Sequence, residues 1–171
     1  MTRTLLPAAA LLLLAACAPS LDWREMRPEG SGAVAMFPCR PASHAREVML
    51  AGSRVTLTLH ACSAGDTTWA LAFAELDDPA RIGAALEELL AAAAANLSAG
   101  APRPLALKVD GATPHPLAQR VALEGRLPDG RAVQEQVAVF TKGTRIFQAT
   151  VVGPRLPEEG LEVFFGGLRT P

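Results

Sequence analysis

The chain has 171 residues, half of them apolar, with 16 Lys and Arg against 17 Asp and Glu and a formal charge of −1. That length suits one domain burying roughly 70% of its unfolded surface, and the apolar fraction is too high for a disordered polymer. The near-neutral charge lacks the basic footprint of a nucleic-acid binder, and no apolar run reaches the ~20 residues of a membrane-spanning helix.

Arg3 precedes an apolar stretch from Leu5 to Leu14, and small residues then lead to a cysteine, Leu14-Ala15-Ala16-Cys17. As a helix the stretch would span only ~15 Å, half of a hydrocarbon core, so it reads as a signal segment and not as an anchor. Leu14-Ala15-Ala16-Cys17 resembles the lipobox of bacterial lipoproteins. The resemblance implies cleavage before Cys17, a diacylglyceryl group on its thiol and acylation of the new amine. More than one acyl chain, at ~0.8 kcal/mol per buried CH₂, makes such attachment stable. With Ala18 and not Asp after the cysteine, the resemblance further implies the outer membrane of a bacterial envelope, facing the periplasm. The expected organisation is a signal peptide over 1–16, a lipidated tether over 17–32 and a single domain over 33–171. Leu21 and Trp23 are apolar enough to dock on that domain, and Trp23 is read as packing there in preference to a partner interface.

Beyond Cys17, two cysteines remain, Cys39 and Cys62. An even pair in an oxidising compartment predicts a structural disulfide. Closing a loop of this length contributes roughly 3 kcal/mol in the chain-entropy view. The absence of Cys-x-x-Cys argues against a thioredoxin-like redox site. His60-x-Cys62 offers two ligands, short of a zinc site, and neither metal nor cofactor is expected.

Ala33 to Phe37 reads as a short strand ended by Pro38, and Val48 to Leu50 as a second. From Arg54 to Cys62 the pattern alternates, with Val55, Leu57, Leu59 and Ala61 on one face and Thr56, Thr58 and His60 on the other. A hairpin through Ser63 to Asp66 leads to a strand over Thr67–Glu75. There Trp69, Leu71 and Phe73 oppose Ala70, Ala72 and Ala74, the small residues suiting a face that lies close beneath a helix. Asp78 as cap and Pro79 at the first helical position predict a helix, with Ile82, Leu86, Leu89, Leu90, Ala93 and Leu97 at helical spacing and a stop at Gly100. Leu105 to Val109 follows as a short strand. A meander then runs over Leu117–Arg126, Arg131–Phe140 and Arg145–Val152, turning at Pro128-Asp129-Gly130 and Lys142-Gly143. Val133, Val137 and Val139 share a face that Glu135 interrupts. A final helix, Pro157 to Leu168, buries Leu161, Phe164, Phe165 and Leu168.

Strands, helix, strands, helix predicts an α+β domain: an antiparallel β-sheet flanked by two helices, an α/β sandwich. The second half, with Asp110-Gly111, the Lys142-Gly143 turn, Phe147-x-Ala-Thr-Val and Phe164-Phe165-Gly-Gly-Leu-Arg169, resembles the PsbP-like and DcrB-like group over residues 105–169. That resemblance implies a central sheet with flanking helices in proteins that act through contacts. It transfers no functional residue.

Catalytic motifs are missing: there is no Gly-x-Ser-x-Gly elbow, no His-Glu-x-x-His and no phosphate loop. His115 stands between two prolines and His44 lies in a polar stretch; exposed loop histidines account for both. Capping accounts for Asp78, and a helix N-terminus favours Glu158 and Glu159. No catalytic residue is therefore expected. The sequence predicts a non-enzymatic, membrane-anchored lipoprotein facing the periplasm, whose partners are the membrane, through its lipid, and an envelope protein, not nucleic acid. The alternative is a carrier holding a small apolar ligand in a sheet–helix cavity left open by the alanines between Ala70 and Ala74; an enzyme, which would need His115 or His44 beside a carboxylate in a cleft, ranks third.

Overall fold

The computed structural model describes residues 21–171, so the stretch read as a signal peptide and the expected lipidation site at Cys17 lie outside the described residues. The elements are β1 (Arg24–Met26), β2 (Ala35–Phe37), β3 (Ala42–Leu50), β4 (Ser53–Ala64), β5 (Thr67–Glu75), α1 (Ile82–Asn96), β6 (Arg103–Leu105), β7 (Gln119–Arg126), β8 (Ala132–Lys142), β9 (Arg145–Gly153) and α2 (Glu158–Gly166). β3 to β9 form one seven-stranded sheet in the order β3-β4-β5-β9-β8-β7-β6, and β1 pairs with β2 apart from it. Each neighbouring pair is antiparallel. The β3-β4-β5 meander is laid down first, and β9 returns beside β5 with Phe73 opposite Phe147.

This architecture corrects the expected α/β sandwich of PsbP-like type. Of the described residues 47% are strand and 18% helix, a sheet-dominated fold with two helices in a minor role. The reason is width. Seven strands spaced ~4.8 Å apart span roughly 29 Å, whereas a helix ~10 Å across covers about two of them. On one face α1 packs against β8 and β9; on the other α2 packs beside β2, so the small sheet supplies part of the cover.

Each face has its own core. Beneath α1 it is aliphatic, with Leu86, Leu89 and Leu97 of the helix side meeting Val55, Val121, Leu123, Val137, Val139 and Ile146. Beneath α2 it is aromatic: Phe37, Trp69, Phe73, Phe140, Phe147, Phe164 and Phe165. The alternation of β5 produces this division, sending Trp69, Leu71 and Phe73 to the α2 side and Ala74 to the α1 side. Ring contacts link the aromatic core, from Phe140 stacked on Phe147 at 4.9 Å to Trp69 edge-on to Phe164 at 5.5 Å.

Within the span 17–32, read as a tether, the described residues lie on the domain. Leu21, Trp23 and Met26 pack on the aromatic core, and Trp23 meets Trp69 edge to face at 5.3 Å. The Asp22 N–H donates to the Pro38 carbonyl at 3.2 Å. Further on, Arg145 Nη1 donates to the Ser31 carbonyl at 2.9 Å. The predicted disulfide is present: Cys39 and Cys62 are bonded, tying the link between β2 and β3 to β4.

The first long helix opens as foreseen at Asp78, whose carboxylate accepts from the Ala80 N–H at 2.9 Å, but its first turn, Pro79–Arg81, is a 3₁₀ turn. α1 ends against the sheet, where the Arg126 N–H donates to the Leu97 carbonyl at 2.7 Å. Only glycine fits at 125, because a Cβ there would stand 2.3 Å from that carbonyl oxygen.

Candidate functional site

The three histidines do not converge. In the β3–β4 register His44 faces Leu59 and His60 faces Ser43, so the two rings project to opposite sides of the sheet. His60 is buried, stacks on Phe73 at 6.1 Å and lies 3.5 Å from Ser43 Oγ. Burial lowers its pKa below the usual 6.5. His115 accepts from the Leu117 N–H through Nδ1 at 3.2 Å. The sulfur of Cys62, two residues from His60, is committed to the disulfide. Among the described residues no group of three or more His, Cys, Asp or Glu could hold a metal ion. Glu158 and Glu159 occupy the first turn of α2.

The two sheet edges differ sharply. β6 is three residues long and contains Pro104, the usual means of blunting an edge. β3 has nine residues and no proline, and from Ala42 to Glu47 every residue is exposed. Met49 on the same strand is 59% exposed. One side of β3 pairs with β4 throughout; the other side has no strand beside it among the described residues.

A groove of about 520 Å³ lies alongside this edge, between α1 and the β3–β4–β5 end of the sheet. Its apolar part comes from Leu57, Leu59, Leu89 and the alanines Ala70, Ala72 and Ala93, and its polar part includes His44, Arg46 and Gln148. Truncated side chains on β5 and α1 create the space. Arg46 takes part in no ion pair among the described residues, whereas neighbouring Glu47 pairs with Arg54 at 3.3 Å.

A second groove, about 530 Å³, opens on the α2 face between that helix and the β6–β7 edge. Arg120 of β7 lines it. Its Nε donates to Gln136 Oε1 at 3.1 Å, its Nη2 donates to the same oxygen, and the guanidinium carbon lies 3.8 Å from the centroid of the Phe165 ring. Burial lowers the Arg120 pKa, and the charge of Glu162 opposes that shift.

The sequence pointed to Ala70 and Ala72 as the source of a sheet–helix space, and they line the first groove. It did not point to β3 as an edge or to Arg120. On an alternating strand Arg120 is merely an outward residue, and nothing nearby in sequence reveals Gln136 or Phe165 beside it. The chain matches no protein-family model, no curated protein and no solved structure.

Proposed function

We propose that the chain is a non-enzymatic binding protein of the bacterial envelope, held at the periplasmic side of the outer membrane by lipid on Cys17, that takes up a strand of another envelope protein along β3. The Leu14-Ala15-Ala16-Cys17 motif supports the anchor. The Cys39–Cys62 disulfide accords with an oxidising compartment. The observation that carries the binding function is the long open edge of β3 beside an apolar groove.

In strand addition, main-chain hydrogen bonds supply affinity and alternate side chains supply specificity. A strand laid against β3 would place every second side chain on the α1 side, beside Leu57, Leu59 and the uncompensated charge of Arg46. The fitting partner segment is therefore extended, with apolar residues and an acidic one on that face. A second copy of β3 fits poorly. Paired antiparallel about its middle, it would set Arg46 against Arg46 or Glu47 against Glu47, and like charges directly opposite are destabilising.

The carrier reading shares the groove, but a small ligand there would leave the unpaired main-chain edge of β3 unused. A photo-crosslinking residue placed at Ala45 in intact cells tests strand addition. One defined protein adduct is expected from Ala45 and none from Glu87 on α1. No defined adduct, or the same adduct from both positions, overturns the reading. Separately, Cys17→Ser should release the protein from membranes, and its persistence in the membrane fraction would overturn the anchor.

A further inference from the structure

The geometry points to a second binding site, on the opposite face of the sheet from the β3 groove, in which Arg120 receives the carboxylate of a small zwitterion bearing an apolar group: an α-amino acid or a short peptide. Arg120 is half-buried, yet it takes part in none of the ion pairs among the described residues. Two of its nitrogens share one neutral acceptor, Gln136 Oε1, and Nη1 donates no hydrogen bond there. Nη1 is not among the buried unpaired polar atoms, so it remains accessible from the groove and free to donate to a ligand. The planar fork is shaped for a carboxylate.

Gln136 and the Phe165 ring also hold the fork in place before any ligand arrives, which reduces the ordering cost of binding. Around it, Leu105, Leu107, Leu161 and Phe165 provide apolar wall in a groove of about 530 Å³. That combination of apolar lining and one fixed polar group is typical of small-molecule sites.

The remaining charges narrow the ligand class. Glu158 and Glu162 also line the groove from α2, and Glu162 acts electrostatically on Arg120. Lys108 lines it too, but its ammonium already pairs with Asp110 at 3.4 Å. A bare fatty acid would bring its negative charge up to two glutamates. A ligand with an ammonium beside its carboxylate presents the ammonium to those acids and the carboxylate to Arg120. The cation–π contact alone would make Arg120 a staple between β7 and α2, a role that requires no ligand.

Titration of the purified full chain with L-leucyl-L-leucine, followed by NMR, separates the two roles. Saturable shifts at Leu105, Leu107 and Phe165 are expected. L-leucyl-L-leucinamide, which lacks the carboxylate, should bind about tenfold or more weakly, the loss of a charge-assisted hydrogen bond. N-acetyl-L-leucyl-L-leucine, which lacks the ammonium, should also bind more weakly. Arg120→Gln should abolish the carboxylate preference while Arg120→Lys keeps part of it. Absence of saturable shifts, equal binding of acid and amide, or an unchanged preference in folded Arg120→Gln overturns the site. Should Arg120→Gln fail to fold, the acid–amide comparison on the parent chain decides alone.

Discussion

Glu135 sits on β8 in alternation with Val133 and Val137, on the face turned to the aliphatic core, and is only 6% exposed. Burial raises its pKa from 4.5 to about 7. The folded state thus holds the proton more tightly than the unfolded one. The stabilisation from the neutral carboxyl is complete below the unfolded pKa and is lost as pH rises through about 7. The full difference is on the order of 3 kcal/mol. Glu135→Gln, an uncharged isostere, should equal the parent in stability at about pH 4, below the unfolded pKa, and exceed it at about pH 8, as read by urea denaturation at both values. His60 has the opposite sign: its depressed pKa gives stability that is present above 6.5 and lost as pH falls through the lower folded value. Gly160 presents a steric version of the same sensitivity. A Cβ there would stand 2.8 Å from Trp69 Cη2, and the fully buried indole has little room to yield. Gly160→Ala should therefore cost about 1–3 kcal/mol, the usual range for overpacking, seen as a lowered melting temperature.

Among the elements, the disulfide has the clearest energetic role. It closes a segment with a sequence separation of 23 residues that contains the whole of β3. Cys39→Ser with Cys62→Ser should lower stability by roughly 3 kcal/mol, measured by chemical denaturation against the oxidised parent. That pairing was legible because only two cysteines remain after Cys17. β5 was legible to the residue at both ends, Thr67 and Glu75, because the Ser63–Asp66 turn precedes it and its bulky and small residues alternate. β3 was not. Of Ala42–Leu50 only Leu50 is buried, so the strand exists through backbone pairing with β4 and leaves no hydrophobic period to read. β6 shifted for a similar reason: Leu105 to Val109 looked like the strand, but Arg103, Pro104 and Leu105 are the residues opposite β7. Arg120 marks the limit for the candidate sites, since its setting depends on β8 and α2 arriving from 16 and 45 positions further along.

At the scale of the whole molecule, a sheet wider than its helical cover leaves uncovered surface on both faces, displaced toward opposite edges. The β3 groove lies at one edge of the α1 face and the Arg120 groove at the other edge of the α2 face. Backbone stability should follow the same geography. Amides of β5 and β9, hydrogen-bonded to strands on both sides, should exchange slowest with deuterium, and those on the open side of β3 fastest. A partner strand seated on β3 should slow exchange over 42–50 and leave β7 unchanged; uniform rates along the sheet would contradict this ordering. The docked segment that begins at Leu21 has one more consequence. The protein has two tryptophans and no tyrosine, and both indoles meet in a single corner, where Trp23 rides on Trp69. Ultraviolet emission from this protein consequently reports on that corner and is blind to the aliphatic half. Peeling Trp23 away would change colour and intensity while the far side stayed dark, a built-in lamp for watching the N-terminal strap lift.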